Sequence, residues 1–333
     1  MNWARVPALA TSLVLLSAGN SAVAATSAAN PHEDPAVQAF IAEMVKRHDL
    51  DRSELDELFR EADFTQKVLD AFKRPAESKA WHQYRKIFLT KSRIEGGAAF
   101  WREHAETLSR AEKTYGVPAE LVVAIIGVET FYGKHKGRIR VLDALTTLAF
   151  RYPRRAKFFR GELEAFLLLR HEESLPPKTL MGSYAGAMGF GQFIPTSYRA
   201  YAVDFDGDGR RDLLSNLSDA IGSVANYLHR HRWKAGQPVT HQVRGVSAQD
   251  ARLAKRSLQP KLSVKALARD GIEAVSGKLP DGKVAMFTLA DETGPTYWLG
   301  YQNFYAVSRY NPSKLYAMAV YQLSQEIKAN YVQ

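Results

Sequence analysis

Cysteine is absent from the 333-residue chain. This absence excludes disulfides, zinc–thiolate sites, a cysteine nucleophile and lipidation at an N-terminal cysteine. After the N-terminal segment there is no second apolar run long enough to cross a membrane. Acidic residues are scarce relative to basic ones, 35 against 45, which gives a formal net charge of +10. This excess favours an acidic partner, such as nucleic acid, anionic lipid or an anionic cell-wall polymer.

The N-terminal residues 1–24 are typical of a secretory signal peptide. Arg5 precedes an apolar run from Ala8 to Leu16, and Ala22-Val23-Ala24 supplies the small residues of a cleavage site. The apolar run is short for a membrane span. We therefore expect cleavage after Ala24 and export, which argues against nucleic acid as the partner.

The segment Pro118–Gly133 is almost uninterruptedly apolar and carries the carboxylate Glu129 near its end. Apolar residues on every side predict a buried core helix that begins at Pro118 and stops near Gly133. We expect a raised pKa for a carboxyl group there, because desolvation disfavours its charged form, and a protonated glutamate can act as an acid near neutral pH. An acid that reaches the surface, or pairs with a Lys or Arg, fits this stretch equally well.

A glycine-rich segment, Met181–Tyr198, includes Gln192 and interleaves its glycines with small and aromatic residues. Glycines at this density let the backbone approach a ligand or another segment closely. The segment lacks the Gly-Lys-Ser/Thr of a phosphate loop and the Gly-x-Ser-x-Gly of a nucleophile elbow. It is therefore a candidate binding loop of another kind.

Residues Asp204–Asp212 match the opening part of an EF-hand calcium loop. Carboxylates alternate along it, and Gly209 permits the sharp turn. Ser215 replaces the closing glutamate, so another group has to complete the site. The predicted ligands of a structural Ca²⁺ are Asp204, Asp206, Asp208, the Arg210 carbonyl, Asp212 and, as the candidate closing group, Asp219. A metal-free Asp/Gly turn is the alternative, and the sequence indicates no organic cofactor.

Helical spacing of apolar residues predominates in the rest of the chain, but residues after 236 contain short strand-like stretches. These stretches are Val239–Val243, Leu262–Ala266, Lys283–Leu289, Thr296–Gly300 and Phe304–Val307. The pattern predicts an α+β fold that is mainly α, with a small β insert. A zincin helix is not indicated, because His171-Glu172 lacks the second histidine, and we expect His229 and His231 to be solvated.

Several segments resemble the lytic murein transglycosylase B family (glycoside hydrolase family 103), in the same order along the chain. They are GVETFYG around Glu129, DALTTLAF, YPRRAKFF, GSYAGAMGFGQFIPTSY, DFDGDG, DAIGSVANYL and RYNPSKLYAMAV. The likeness extends roughly from Trp81 to Leu323 and is highly specific. It implies a lysozyme-like catalytic core, a helical N-terminal region and a small β region around a peptidoglycan groove.

The sequence features above and the resemblance together imply a domain division and a location. The expected parts are 1–24 signal peptide, 25–35 flexible leader, 36–115 helical N-terminal domain, 116–235 lysozyme-like core with the calcium loop, 236–300 small β region, and 301–333 a C-terminal segment and helix that return to the core. Because the lipid-carrying cysteine of membrane-bound members is missing, we expect a soluble periplasmic form. Peptidoglycan glycan strands are the expected partner, and other cell-wall enzymes are a further class of partner that the sequence leaves open.

The family's single catalytic acid falls on Glu129, and its calcium loop falls on Asp204, Asp206, Asp208 and the Arg210 carbonyl. The substrate-binding residues implied by the resemblance are Tyr84, Ser183, Gln192, Tyr227, Tyr310, Asn311 and Tyr316. The segment Leu213–Asp219 is longer than the corresponding segment of the family, which leaves the closing ligand open.

The implied reaction is cleavage of the β-1,4 bond between N-acetylmuramic acid and N-acetylglucosamine to give a 1,6-anhydro sugar, with Glu129 as the only acid and base. A lysozyme-type hydrolase would need a second carboxylate, for which Asp143, Glu162 and Glu164 are candidates. A wall-binding scaffold without activity is the alternative from outside the enzymes.

Overall fold

A computed structural model describes residues 30–72, 79–255 and 257–332. The predicted signal peptide, 1–24, and residues 25–29 of the predicted leader lie outside them. The rest of that leader forms a 3-10 turn, Pro31–Glu33, and reaches the first α-helix at Pro35. Among the helices of the described ranges, none combines the length and apolar character that crossing a membrane requires.

The described chain is mostly helical, with two small sheets. Its α-helices are α1 (Pro35–His48), α2 (Arg52–Arg60), α3 (Gln66–Ala71), α4 (Trp81–Phe88), α5 (Lys91–Glu103), α6 (Ala105–Tyr115), α7 (Ala119–Thr130), α8 (Val141–Arg151), α9 (Ala156–Glu172), α10 (Pro195–Tyr201), α11 (Leu217–Arg230), α12 (Val264–Arg269), α13 (Gln302–Tyr310) and α14 (Lys314–Val332). Its strands are β1 (Ile139–Arg140), β2 (Met181–Gly182), β3 (Thr240–Arg244), β4 (Leu262–Ser263), β5 (Glu273–Ala274), β6 (Lys283–Asp291) and β7 (Gly294–Gly300).

The described residues form two compact units, each built from separate stretches of chain. The first unit comprises residues 79–132, 221–255 and 257–332, and the second comprises residues 30–72 and 133–220. The chain leaves the first unit just after α7 and re-enters it within α11. The sequential domain boundaries expected from the sequence stay predictions.

Helix α7 lies in the core of the first unit, where α5, α6 and α14 pack against it. All of its residues from Ala119 to Thr130 are buried, as the apolar sequence predicted. Pro118 is the N-cap rather than the first helical residue, and the helix ends with Phe131 in the left-handed conformation. The buried helix therefore carries Glu129 in its last turn.

A five-stranded antiparallel sheet also belongs to the first unit, with strand order β4-β6-β7-β3-β5. Strand β7 pairs with β6 on one side and β3 on the other, so that Trp298 faces both Phe287 and Gln242 in register. A small core on this sheet collects apolar residues of the strands and of α12: Val243, Val284, Met286, Leu299, Val264 and Leu267. The β insert predicted after residue 236 is thus formed.

Two of the predicted strands are wrong in part or in full. Strand β4 ends at Ser263, and the predicted continuation to Ala266 belongs to α12. The stretch Phe304–Val307 lies within α13. Phe304, Ala306 and Val307 are all fully buried, and Phe304 stacks on Phe287 with the ring centroids 4.5 Å apart. Burial on neighbouring positions suits a helix packed on a sheet better than an alternating strand.

The second unit is built on the pair α8 and α9, with α3 packed against α8 and α10 packed against α9. Strands β1 and β2 form a two-stranded antiparallel ladder in which Ile139 faces Gly182. This ladder opens the glycine-rich segment, and the acidic loop follows α10. The second unit therefore carries both of the loops that the sequence singled out.

Candidate active site

Glu129 occupies the last turn of α7 and is only 7% exposed. The hydroxyl of Tyr316, on α14, donates a hydrogen bond to Glu129 Oε1 at 2.6 Å. The other buried acid of the same helix, Glu120, is equally exposed at 7%, but it accepts from Lys328 Nζ at 2.9 Å. Glu120 therefore forms an ion pair with a lysine, and Glu129 accepts a hydrogen bond from a tyrosine hydroxyl.

Three tyrosines from separate helices of the first unit lie together beside Glu129. The rings of Tyr310 and Tyr316 are nearly parallel, at 11° and 6.5 Å between centroids, and Tyr227 lies 4.7 Å from Tyr310. Burial and the charge of Glu129 raise the pKa of Tyr310 and the pKa of Tyr316 well above their ordinary values. Both phenols therefore stay neutral and can act only as hydrogen-bonding groups near neutral pH.

Two further predicted residues of the first unit, Tyr84 and Asn311, belong to the same surroundings. Tyr84, on α4, interacts electrostatically with Tyr316 and contacts Phe88, with the ring centroids 5.2 Å apart. Asn311 is the C-cap of α13, directly after Tyr310, and is 4% exposed. The first unit thus brings together the predicted acid and five of the predicted substrate residues.

His231 is a member of this cluster that the sequence did not reveal. Its ring stacks on Tyr227 at 4.1 Å and 21°, and burial lowers its pKa, so the imidazole is neutral near pH 7. His231 directly follows the last residue of α11 and is half-buried, so the expectation that it is solvated was wrong. His229 is exposed, and its ring lies 3.1 Å from the Tyr115 carbonyl.

Ser183 and Gln192 lie in the glycine-rich segment of the second unit, where both support the loop itself. Ser183 Oγ accepts the backbone N–H groups of Ala185 (3.3 Å) and Ala187 (3.1 Å). Gln192, with a left-handed φ of 50°, donates from Nε2 to the carbonyls of Gly189 (3.0 Å) and Lys136 (3.2 Å). Their predicted contact with substrate stays a prediction.

The acidic loop gathers four carboxylates. Asp204, Asp206, Asp208 and Asp219 each offer an oxygen, and these oxygens all lie within 4.8 Å of one another. The four negative charges repel one another at this separation. A divalent cation that prefers oxygen ligands would offset this repulsion, so the four carboxylates fit such an ion. Gly209, at φ 89°, makes the turn that lets its N–H bond to Asp204 Oδ2.

Asp219 is fully buried and closes the group from the first turn of α11. It accepts the N–H groups of Phe205 and Asp212, each at 2.7 Å, so the longer segment before it still folds back to the loop. The Asp212 side chain instead accepts from the N–H groups of Leu214 and Ser215. Asp212 is not part of the four-carboxylate group found among the described residues, so its role as a ligand stays a prediction.

The three acids considered as partners for a hydrolase all lie in the second unit, where other groups bind them. Arg140 Nε donates to Asp143 at 2.8 Å, and His48 lies 2.8 Å from Glu164. Glu162 is 2% exposed and accepts the N–H and hydroxyl of Thr196, at the start of α10. Each of these carboxylates therefore has a structural role in its own unit.

Sequence comparison identifies the chain. A model of the transglycosylase SLT domain matches residues 32–325, which is most of the sequence. The chain belongs to the transglycosylase SLT family. It is 42% identical over 310 residues to membrane-bound lytic murein transglycosylase B of Escherichia coli strain K12, covering 90% of this chain and 84% of that protein. The resemblance read from the motifs is confirmed.

Two solved structures of SLT family proteins resemble this fold closely. The soluble lytic transglycosylase SltB1 of Pseudomonas aeruginosa is 48% identical, with a TM-score of 0.83 and coverage of 90% of this chain and 100% of that one. The E. coli lytic transglycosylase Slt35 in complex with calcium is 43% identical, with a TM-score of 0.82 and coverage of 90% and 95%. These matches confirm the mainly helical α+β fold and its lysozyme-like class.

Proposed function

We propose that this chain cleaves the β-1,4 bond between N-acetylmuramic acid and N-acetylglucosamine with Glu129 as its only acid and base. The chain is a lytic transglycosylase of the SLT family that acts on peptidoglycan. The observation that carries the assignment of Glu129 is its place: a carboxyl group at the end of a wholly buried helix, held by the hydroxyl of Tyr316 at 2.6 Å.

Glu129 first acts as the acid. The Tyr316 hydroxyl donates a hydrogen bond to Oε1. An oxygen that accepts such a bond favours being the unprotonated carbonyl oxygen of the carboxyl group. The proton for the leaving sugar would then be carried on Oε2. Because Tyr316 cannot ionise near neutral pH, this orientation persists while Glu129 changes its protonation state. Proton donation to the glycosidic oxygen breaks the C1–O bond and leaves Glu129 ionised.

The ionised Glu129 then acts as the base. The muramic acetamide oxygen stabilises the developing positive charge at C1, and the C6 hydroxyl of the same sugar attacks C1 as Glu129 takes its proton. The new C1–O6 bond replaces the bond that was broken, so the product is a 1,6-anhydro sugar and Glu129 ends protonated. Water is not consumed, and the enzyme needs no second carboxylate.

The hydrogen bonds and ion pairs of Asp143, Glu162 and Glu164 support this single-acid reaction over hydrolysis. An ordinary glycosidase needs a second carboxylate that is available as a nucleophile or as a base for water. Here each candidate is bound by an arginine, a histidine or a helix N-terminus. The proposed substrate contacts are Tyr84, Tyr227, Tyr310, Asn311 and Tyr316 of the first unit, with Ser183 and Gln192 of the second.

The test is digestion of purified sacculi, followed by mass spectrometry of the released fragments. The wild type should give ends that are one water lighter than reducing ends, and Glu129→Gln should give none. Glu120→Gln is a matched control, because Glu120 is on the same helix and equally buried. Reducing ends alone would refute the transglycosylase reaction. Undiminished lysis by Glu129→Gln would refute the role of Glu129, and wall binding without lysis by the wild type would indicate a scaffold.

The acidic loop is assigned a structural Ca²⁺, held by the carboxylates of Asp204, Asp206, Asp208 and Asp219, with the Arg210 carbonyl and Asp212 as further ligands. The cation would neutralise four converging carboxylates and fix the loop to the start of α11, without entering the sugar chemistry. The complex of Slt35 with calcium supports the choice of ion.

The proposed location is the periplasm, after removal of residues 1–24. The support is the charged residue, apolar run and small-residue cleavage site at the N-terminus, together with a net charge of +10 that suits an anionic wall polymer. Cell fractionation and N-terminal sequencing of the mature protein test this location. A mature N-terminus at Met1 would contradict it.

A further inference from the structure

The chain directly after Glu129 adopts an unusual backbone conformation. Phe131 and Tyr132 both have positive φ values, 52° and 59°, and neither is a glycine. Left-handed backbone is unfavourable for large side chains and persists where the surroundings hold it in place. The end of α7 is therefore shaped by contacts from outside the helix.

Arg93, on α5, supplies the first of these contacts. Its Nε donates to the carbonyl of Gly127, in the last turn of α7, at 3.0 Å. Its Nη1 donates to the carbonyl of Ile87 at 2.7 Å, and its guanidinium lies 4.9 Å from the ring centroid of Phe131. Among the described residues, no carboxylate forms a salt bridge with Arg93. Its hydrogen-bonding groups are thus directed to backbone carbonyls.

Tyr132 supplies the second contact and connects it to the first. Its hydroxyl donates to the Arg93 carbonyl at 2.7 Å, and burial raises its pKa, so it remains a neutral donor. Its ring fills the space between α5 and α7. A Cβ added at Gly97 or at Gly127 would lie 2.6 Å from the Tyr132 hydroxyl oxygen. The absence of side chains at these glycines is what admits the ring.

We propose that Arg93 is a positioning residue for the reaction, with Tyr132 holding Arg93 in place. The carbonyls of a last helical turn have few partners within the helix, and that turn frays unless other groups bind it. The Gly127 carbonyl accepts the backbone N–H of Phe131 at 3.1 Å, and Arg93 adds a second donor to it where the chain leaves the helix. Arg93 binds the carbonyl two residues before Glu129 and packs on the residue two after it. It thereby fixes the direction in which the Glu129 carboxyl group leaves the helix. This inference rests on the proposed role of Glu129.

The effect should appear in turnover rather than in binding. A misdirected acid slows proton transfer, whereas substrate contacts elsewhere remain, and small displacements of a catalytic group cost large factors in rate. Arg93→Met keeps an unbranched apolar side chain but removes the guanidinium and both of the hydrogen bonds that it donates. We expect kcat on soluble, uncrosslinked peptidoglycan strands to fall at least tenfold with KM within threefold. Arg93→Lys, which retains one donor, should recover part of the loss.

Arg102→Met is the matched control. Arg102 is on the same helix, donates to the Asn330 carbonyl at 3.1 Å and lies 5.6 Å from the ring centroid of Tyr331, but it binds α14 instead of α7. Its kcat should stay within twofold of wild type. Equal losses in the two methionine variants, a change in KM alone, or an unchanged kcat in folded Arg93→Met would each overturn the proposal.

Tyr132→Phe decides the matter if Arg93→Met does not fold. A kcat loss of threefold or more at unchanged KM supports the positioning role, and a kcat equal to wild type overturns it. The products are analysed in the same experiment. If the wild type releases reducing ends, the proposed reaction fails, while kcat still measures whether Arg93 positions Glu129.

Discussion

Glu162 offers a test of whether a buried carboxylate in this fold is structural or catalytic. It lies on α9, is 2% exposed, and accepts two hydrogen bonds from Thr196: the backbone N–H at 3.0 Å and the hydroxyl at 2.7 Å. Burial raises its pKa from an ordinary value of 4.5 to about 7, although the bonds from Thr196 and the charge of Arg155 act in the opposite direction. The perturbation is Glu162→Gln, which cannot ionise.

The magnitude and sign follow from linkage. Because the pKa is higher in the folded state, the carboxyl group contributes stability that is fully present below pH 4.5 and is lost as pH rises through about 7. The difference between these values corresponds to about 3 kcal/mol. The free energy of unfolding of the wild type, minus that of Glu162→Gln, should therefore fall by about 3 kcal/mol between pH 4.5 and pH 8.

Urea unfolding, followed by circular dichroism at saturating calcium, measures this difference. Both proteins carry the same calcium loop, so its own pH dependence cancels in the subtraction. A difference that does not change with pH would refute the argument that burial dominates the environment of Glu162. A difference that grows with pH would show that Arg155 and Thr196 dominate instead.

The same variant separates the two enzyme mechanisms. If Glu162 only caps α10, folded Glu162→Gln should release 1,6-anhydro products from sacculi at a rate within a few-fold of wild type. A loss of more than about a hundredfold in a folded protein is the size expected for removal of an acid or base group. That result would indicate that Glu162 is a catalytic residue.

Three further outcomes follow from the structure. Tyr316→Phe removes the hydrogen bond to the proposed acid and should lower kcat on soluble strands about tenfold, equivalent to about 1.4 kcal/mol, whereas an unchanged kcat would contradict its orienting role. Removal of calcium by chelation should lower the wild-type melting temperature by several degrees in a thermal scan, because saturating ligand contributes about 2–3 kcal/mol to the free energy of unfolding. Asp219→Asn should abolish most of this difference in melting temperature with and without chelator. Equal melting temperatures of the wild type in the two conditions would argue against a bound ion. Gly127→Ala should destabilise the protein by about 1–3 kcal/mol in urea unfolding, because the added Cβ meets the Tyr132 ring. Gly161→Ala on α9, where a Cβ has open space, should be neutral or stabilising. Similar changes in unfolding free energy for the two variants would refute the packing argument.

Local patterns predicted much of the fold. Helix α7 was evident because its apolar residues cover every side, a pattern that requires burial whatever the neighbours are. The helix that holds Phe304 was mistaken for a strand because a short apolar stretch fits both periods. Its form depends on stacking against Phe287, on a strand that the local sequence does not identify as its neighbour.

The candidate site divides in the same way. Its acidic loop could be predicted, because Asp204, Asp206 and Asp208 are close in sequence and their spacing alone directs them to one centre. Closure by Asp219 could not be settled, since it depends on how the intervening turn folds back. The hydrogen bond from Arg93 to the Gly127 carbonyl could not be predicted from the sequence. It joins two helices through a backbone carbonyl, and any residue at that position would present the same group.

By itself the sequence determined that a carboxyl group, Glu129, ends a buried helix. It also indicated an exported basic protein of the lytic transglycosylase class. Only the tertiary structure decided which distant groups the two buried carboxylates of this helix contact. Glu129 accepts from the hydroxyl of Tyr316, 187 residues away, and Glu120 pairs with Lys328. The physical reason is that burial follows from local composition, whereas the partner of a buried charge is set by which distant segments pack against it.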